Sequence, residues 1–215
     1  MSSYRLHCFC QSGNCYKIAL YLNCASLDWE PVFVDFFGGE TRTPVWRSAV
    51  NEMGEVPVLE TDGKKLTQSG AILTYLAEKT GKFAPASDEQ RNGALRWMLY
   101  DNYRFTNYFA TGRFLKSFAP DAPDPAVLAF FKGRADAALG VVEKHLSETP
   151  FMLGATPTIA DFSLVGYMYF PTEETSYDLS VSHPKIYAWT ERMKALPGWK
   201  HPYDLLPGQR IKPLR

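Results

Sequence analysis

The run YRLHCFCQSGNCYKIALYLNC, from Tyr4 to Cys24, decides the fold. Leu6, Cys8 and Cys10 alternate against Arg5, His7 and Phe9, the period-two pattern of a strand. After Gln11-Ser12-Gly13-Asn14 the period changes. Ile18, Ala19, Tyr21 and Leu22 recur at helical spacing, which predicts a helix over about 14–24. A second strand is expected at about 29–35, and a short helix at about 44–49 follows Gly38-Gly39. Val56-Pro57-Val58-Leu59-Glu60 and Lys65-Leu66-Thr67 flank Asp62-Gly63, a hairpin signal. Ile72, Leu73, Tyr75 and Leu76 then mark a helix closed by Gly81. The order βαβαββα describes an α/β module whose right-handed crossover makes the first two strands parallel.

From Asp88 onward strand signals stop. Aromatic-rich helical segments are expected at about 88–117, 125–147, 158–169 and 184–195, separated by proline-rich breaks. The chain therefore reads as an α/β domain over 1–81 and an all-helical domain over 88–215, joined by Lys82–Ser87.

Composition narrows the function. A chain of 215 residues buries about 70% of its unfolded surface, enough for a substantial core. The 23 basic side chains balance 23 acidic ones, so no basic surplus invites nucleic acid or an anionic membrane. No apolar run reaches a bilayer-spanning length of about 18–20 residues. All four cysteines (Cys8, Cys10, Cys15, Cys24) fall in one short stretch, which suits reduced thiols in a cytosolic protein better than a disulfide framework. Their spacing with the histidines gives no zinc pattern, and no metal is expected.

Four short stretches are candidates for chemistry. Ser12-Gly13-Asn14-Cys15 lies between a strand end and a helix start, where unpaired backbone N–H groups stabilise an anion. A serine or asparagine there also serves as an ordinary helix cap. Val56-Pro57 follows the Met53-Gly54-Glu55 loop. A cis proline at that point would expose Val56 backbone groups to an extended peptide, whereas a trans proline would simply open an edge strand. Thr67-Gln68-Ser69-Gly70 heads the next helix and offers amide, hydroxyl and N–H groups to a carboxylate, or again a cap. Thr158-Ile159-Ala160-Asp161 has the form of a capping box, and Thr158 and Asp161 are read as structural.

Taken in this order, the pieces Ser12–Ile18, Asn51–Leu59, Leu66–Ile72 and Thr158–Asp161 resemble the glutathione S-transferase superfamily, in its serine-type, bacterial-like form, over the whole chain. The resemblance implies a thioredoxin-like N-terminal domain, an all-α C-terminal domain, a homodimer, and glutathione as cosubstrate with no permanently bound cofactor. It implies that Val56, beside cis Pro57 and following Glu55, pairs its backbone with the cysteinyl part of glutathione. Gln68 and Ser69 would hold the γ-glutamyl carboxylate. Ser12, with the Gly13 backbone and the Asn14 side chain, would face the sulfur. Asp101 would match by position an acidic residue that reaches the γ-glutamyl amine across the dimer. The acceptor, a small hydrophobic electrophile, would meet Phe9, Tyr103, Tyr108 and Arg113.

Ser12 in place of a nucleophilic cysteine points to conjugation. The alternatives are disulfide exchange or peroxidase chemistry, through Cys10 or through two glutathiones, and a scaffold that has lost its chemistry.

Overall fold

The computed structural model describes residues 3–215. Contacts divide the chain into two compact units. One comprises 1–83 together with Leu196–Arg210, and the other comprises Ala84–Ala195 with Ile211–Arg215. This corrects the boundary read from sequence: the stretch Leu196–Arg210, assigned there to the helical domain, packs with the α/β unit. Tyr16 Oη donates to the Lys200 carbonyl at 2.8 Å, and Asn23 Nδ2 donates to the Gly198 carbonyl.

In the first unit β1 (Tyr4–Cys8) leads to α1 (Gly13–Cys24), β2 (Trp29–Phe33) and the short α2 (Pro44–Ala49). The hairpin β3 (Val58–Thr61) and β4 (Lys64–Thr67) then leads to α3 (Ser69–Thr80). The sheet order is β2-β1-β3-β4, with β1 and β2 parallel and the other pairs antiparallel. β1 is central because Leu6 and Cys8 bury completely. β2 takes the edge, where Pro31, opposite Leu6, lacks an N–H for the ladder. It stops at Phe33, two residues short of the expected end, as Asp35 turns to accept from the Gly38 N–H at 2.8 Å.

In the helical unit the expected single helix over 88–117 is interrupted. α4 (Asp88–Tyr100) passes through a π-helical turn at Asp101–Phe105 before α5 (Thr106–Ser117). The wider turn sends Asp101 and Phe105 inward together and leaves Tyr103 66% exposed. Asp101 holds the turn in place: its Oδ1 accepts from Thr106 Oγ1 at 2.5 Å and its Oδ2 from Ser163 Oγ at 2.6 Å. α6 (Pro125–His145) follows, then α7 (Ile159–Leu164) with a 3₁₀ turn, the one-turn helices α8 (Thr172–Thr175) and α9 (Leu179–Ser182), and α10 (Pro184–Lys194). A further one-turn helix, α11 (Pro202–Leu205), belongs to the first unit.

The start of α7 is the polar knot of this unit. The Thr158 hydroxyl and the Asp161 carboxylate cap reciprocally. Asp161, fully buried, also accepts from Met152 N–H at 2.8 Å and from Trp189 Nε1–H at 2.9 Å. A buried carboxylate with several donors orders the loop before α7 and fixes Trp189 in the core. Asp161→Ala would leave those donors unpaired, at a cost of about 3 kcal/mol. Urea unfolding should show the loss as a lower midpoint with an unchanged slope.

Candidate functional site

The first candidate element is the start of α1. β1 ends at Cys8, a turn closes with Ser12 N–H donating to the Phe9 carbonyl at 3.2 Å, and Ser12 becomes the N-cap. Its Oγ accepts from Cys15 N–H at 3.2 Å. That bond uses an oxygen lone pair and leaves the hydroxyl hydrogen to donate elsewhere. No acidic side chain occupies the first turn, so the Gly13 and Asn14 N–H groups keep their positive field. Asn14 adds a buried side-chain oxygen that has no hydrogen-bond partner.

The second element is the loop before β3. Gly54 has φ +71, and a Cβ there would come within 2.6 Å of Arg47 Nη2 and 2.9 Å of the Thr41 carbonyl, so only glycine fits. Asn51 ties the loop together: its Nδ2 donates to the Glu55 carbonyl at 2.9 Å and its Oδ1 accepts from Met53 N–H at 3.1 Å. The Val56–Pro57 bond is cis. The Val56 side chain packs against Val34, Trp46 and Val58, while its backbone N–H and C=O have no partner among the described residues.

The third element is the start of α3. Gln68 adopts φ +65, a region that L side chains rarely occupy. Its Nε2 donates to Glu55 Oε2 at 2.9 Å, which stitches the second element to the third. This alters the sequence expectation for Gln68, since its amide is already tied to a carboxylate. Ser69 is 6% exposed, its hydroxyl has no partner among the described residues, and the first turn of α3 carries no acid. The first unit thus brings together two open helix starts and one unpaired extended residue, supplied by the chain after β1, before β3 and after β4.

The chain's own thiols are withdrawn. Burial pushes the Cys15 and Cys24 thiols up to about 12 and the Cys8 thiol higher still. Cys10 corrects the reading that gave it mixed-disulfide chemistry, since it is 1% exposed. Its Sγ–H donates to Gln11 Oε1 at 3.3 Å, and Gln11 Nε2 donates to the Gln209 carbonyl at 2.7 Å. Gly208 lies so close that a Cβ there would stand 3.6 Å from Cys10 Sγ. No sequence pattern within the first strand reports this cover, because it arrives from almost 200 residues away.

Three further expectations need correction. Asp101 is fully buried with both oxygens engaged inside its own unit, so it has no carboxylate to present to a second chain. Arg113 is 5% exposed and paired with buried Glu174 at 2.5 Å, so its charge is spent on an interior ion pair and is not free for an acceptor. Phe9 is 7% exposed, stacked on Phe36 at 4.8 Å between ring centroids and edge-on to Phe37 at 5.8 Å. Tyr103 is exposed and Tyr108 half-buried, both on the helical unit.

The model for the N-terminal domain of glutathione S-transferases matches residues 2–78, and the model for the C-terminal domain matches 113–201. Glutathione S-transferase F14 of Arabidopsis thaliana is 31% identical, across 98% of this chain and 89% of its own length. The chain belongs to the glutathione S-transferase family. A solved glutathione S-transferase from Xanthobacter autotrophicus is 36% identical, with a TM-score of 0.83 over 94% of this chain and 98% of that one. The disulfide-bond oxidoreductase YfcG of Escherichia coli is 28% identical, over 88% of this chain and 89% of its own. The family therefore includes members named for transfer and for disulfide chemistry. Among the described residues no helix is long and apolar enough to cross a membrane, and no His/Cys/Asp/Glu cluster suits a metal ion.

The withdrawn thiols make a direct prediction. An aromatic disulfide reagent at pH 7–8 should release less than about one equivalent of thiolate in minutes from the native protein. In denaturant all four cysteines should react. Rapid native labelling at Cys10 would contradict its enclosure.

Proposed function

We propose that this chain is a glutathione transferase that uses Ser12 to hold the tripeptide as its thiolate for attack on a small apolar electrophile. The observation that carries the reading is Ser12 Oγ, which accepts from Cys15 N–H and retains its own hydrogen beside two open amides. A free thiol of pKa about 8.5 is a few per cent ionised at neutral pH, and lowering that value by two units takes about 2.7 kcal/mol. A helix N-terminus and one charge-assisted hydrogen bond supply energy of that order in a partly dry cleft. The thiol proton leaves to solvent, the sulfur lone pair forms the C–S bond, and the acceptor's leaving group departs with its electron pair. Asn14, with its unpartnered oxygen, is the second side chain available at the sulfur end.

The rest of the tripeptide follows from the other two elements. The cysteinyl backbone pairs with Val56 as an added strand would. The γ-glutamyl carboxylate meets the Ser69 hydroxyl and the open amides of α3. Its ammonium needs an anion, and with Asp101 enclosed, Glu55 takes that place, held by Gln68 at 2.9 Å. The protein acts as a homodimer, and the exposed stripe Leu95, Leu99 and Tyr103 on the helical unit supplies an apolar surface for it.

One observation favours a second reading. With Cys8, Cys10 and Cys15 buried and a relative named for disulfide oxidoreduction, the same thiolate can attack a glutathionyl mixed disulfide. Glutathione disulfide then forms and the substrate thiolate is released, with no protein cysteine involved. Turnover of an aryl halide against a mixed disulfide separates the two, and failure to bind glutathione at all would leave a scaffold.

Because the bound thiolate is favoured, glutathione affinity should rise with pH up to the free-thiol pKa and then level off. Ser12→Ala should move the ultraviolet thiolate midpoint of bound glutathione up by about 1–2 units, with kcat/KM lower by about 10–100-fold. A variant whose midpoint stays put would reduce Ser12 to a cap. Glu55→Gln should weaken glutathione about fivefold yet strengthen binding of the des-amino analogue, whose carboxylate no longer faces a like charge, and adding Gln68→Glu should restore glutathione binding. Equal losses for both ligands would remove Glu55 from the ammonium site.

A further inference from the structure

The helical unit contains a cavity none of whose lining residues belongs to the three elements assigned to glutathione, although Tyr108 and Arg113, two residues expected to meet the acceptor, are among them. It lies between α5 and α6, is closed by the loop after α8, and has a volume of about 180 Å³. Its walls are aromatic: Tyr108 and Phe131 tilt toward each other with centroids 6.3 Å apart, and Phe109 stacks on Tyr177 at 5.2 Å. Gly112 leaves the floor open, since a Cβ there would only touch Phe131 Cβ at 3.5 Å. An apolar protein cavity of about 150 Å³ accommodates benzene, so this one has room for a single aromatic ring and a small substituent.

Charge at the lining selects the substituent. Arg113 is neutralised by Glu174, and Lys132 by Asp136 at 2.7 Å. Lys116 is different. Its ammonium donates to two neutral acceptors, the Glu173 carbonyl at 3.0 Å and Ser176 Oγ at 2.6 Å, and no carboxylate among the described residues lies within ion-pair distance. One N–H remains to donate. Burial without a counter-charge holds this amine below the ordinary lysine range, and an anion beside it would reverse that shift. The Tyr177 hydroxyl is already spent on Asp136 Oδ1 at 2.6 Å, so the free charged donor at the cavity is the lysine.

We infer that this cavity binds a single-ring aromatic carboxylate, its ring between Tyr108, Phe131 and the Phe109–Tyr177 pair and its carboxylate on Lys116 Nζ. The site lies wholly within the helical unit and stands whether or not the glutathione reading holds.

The test is fluorine NMR titration of the full chain with 4-fluorobenzoate, with 4-fluorobenzamide as the neutral isostere. Saturable binding is expected, weaker by about five- to tenfold for the amide and for benzoate with Lys116→Met. Gly112→Leu, which fills the floor, should abolish it. If Gly112→Leu does not fold, the lysine variant and the amide decide alone. Absence of saturable binding, equal affinity for benzoate and benzamide, or a Lys116→Met titration that matches the parent would overturn the assignment.

Discussion

The hydrogen bond from Cys15 N–H to Ser12 Oγ sets the terms for the rest of the molecule. A helix start leaves four N–H groups without intrahelical partners, and a cap normally satisfies one of them with a side-chain oxygen. Here the cap is a hydroxyl rather than a carboxylate. An aspartate would bring its own negative charge and quench the field it caps. Serine accepts with a lone pair, keeps a proton to donate, and leaves the Gly13 and Asn14 amides uncompensated. The same economy appears at α3, where the first turn also lacks an acid and Ser69 keeps its hydroxyl. Two helices of one unit therefore carry no acid in their first turns, and a ligand with separated thiolate and carboxylate groups suits that pair.

Much of this arrangement was legible in the order of residues. The alternation at Leu6, Cys8 and Cys10, the switch to helical spacing at Ile18, and the Asp62-Gly63 turn are local signals, and local signals survive into βαβαββα without loss. What could not be read depends on partners far apart in the chain. The π-helical turn is held by Asp101 reaching Ser163, 62 positions away. The cover on Cys10 comes from Gly208 and Gln209, whose sequence carries nothing that says where it docks. Asp101, placed by resemblance against the γ-glutamyl amine, and Arg113, placed against the acceptor, both turn inward. Each had found a buried partner on a different helix or turn.

The fate of the thiols follows from packing. Cysteine in a strand behaves as a small apolar side chain, and Cys8 and Cys15 fill fully buried positions on β1 and α1. Ser12 and Cys15 keep a three-residue spacing that in a dithiol motif would pair two sulfurs. With a hydroxyl at the first position, the second sulfur has no thiol beside it; its Sγ–H donates to the His7 carbonyl at 4.0 Å, and it is sealed under the helix. Any sulfur chemistry at this cleft must then be carried by a sulfur that arrives with a ligand. This is why transfer and thiol-free disulfide exchange stand so close together on one scaffold: both need a stabilised visiting thiolate, and they differ in whether carbon or sulfur receives it.

The Glu55–Gln68 contact carries the last step. Gln68 sits in a disfavoured backbone region, and its amide is committed to a carboxylate from the preceding loop. Strain of this kind persists only where surrounding structure over-determines it, and here the loop is fixed by Asn51 and by Gly54, which no larger residue can replace. The outcome is an anion held at the edge of a positive helix start, an arrangement that is electrostatically sensible but gives neither charge its full complement. In the proposed binding mode, a zwitterion with carboxylate and ammonium on one carbon would complete both, its negative group at the helix and its positive group at Glu55. Burying a charge at either place would cost more than it returned without that second interaction. On the proposed reading the ammonium would act as a selectivity element as well as a source of affinity, because a ligand lacking it would leave the carboxylate of Glu55 facing the carboxylate of its guest.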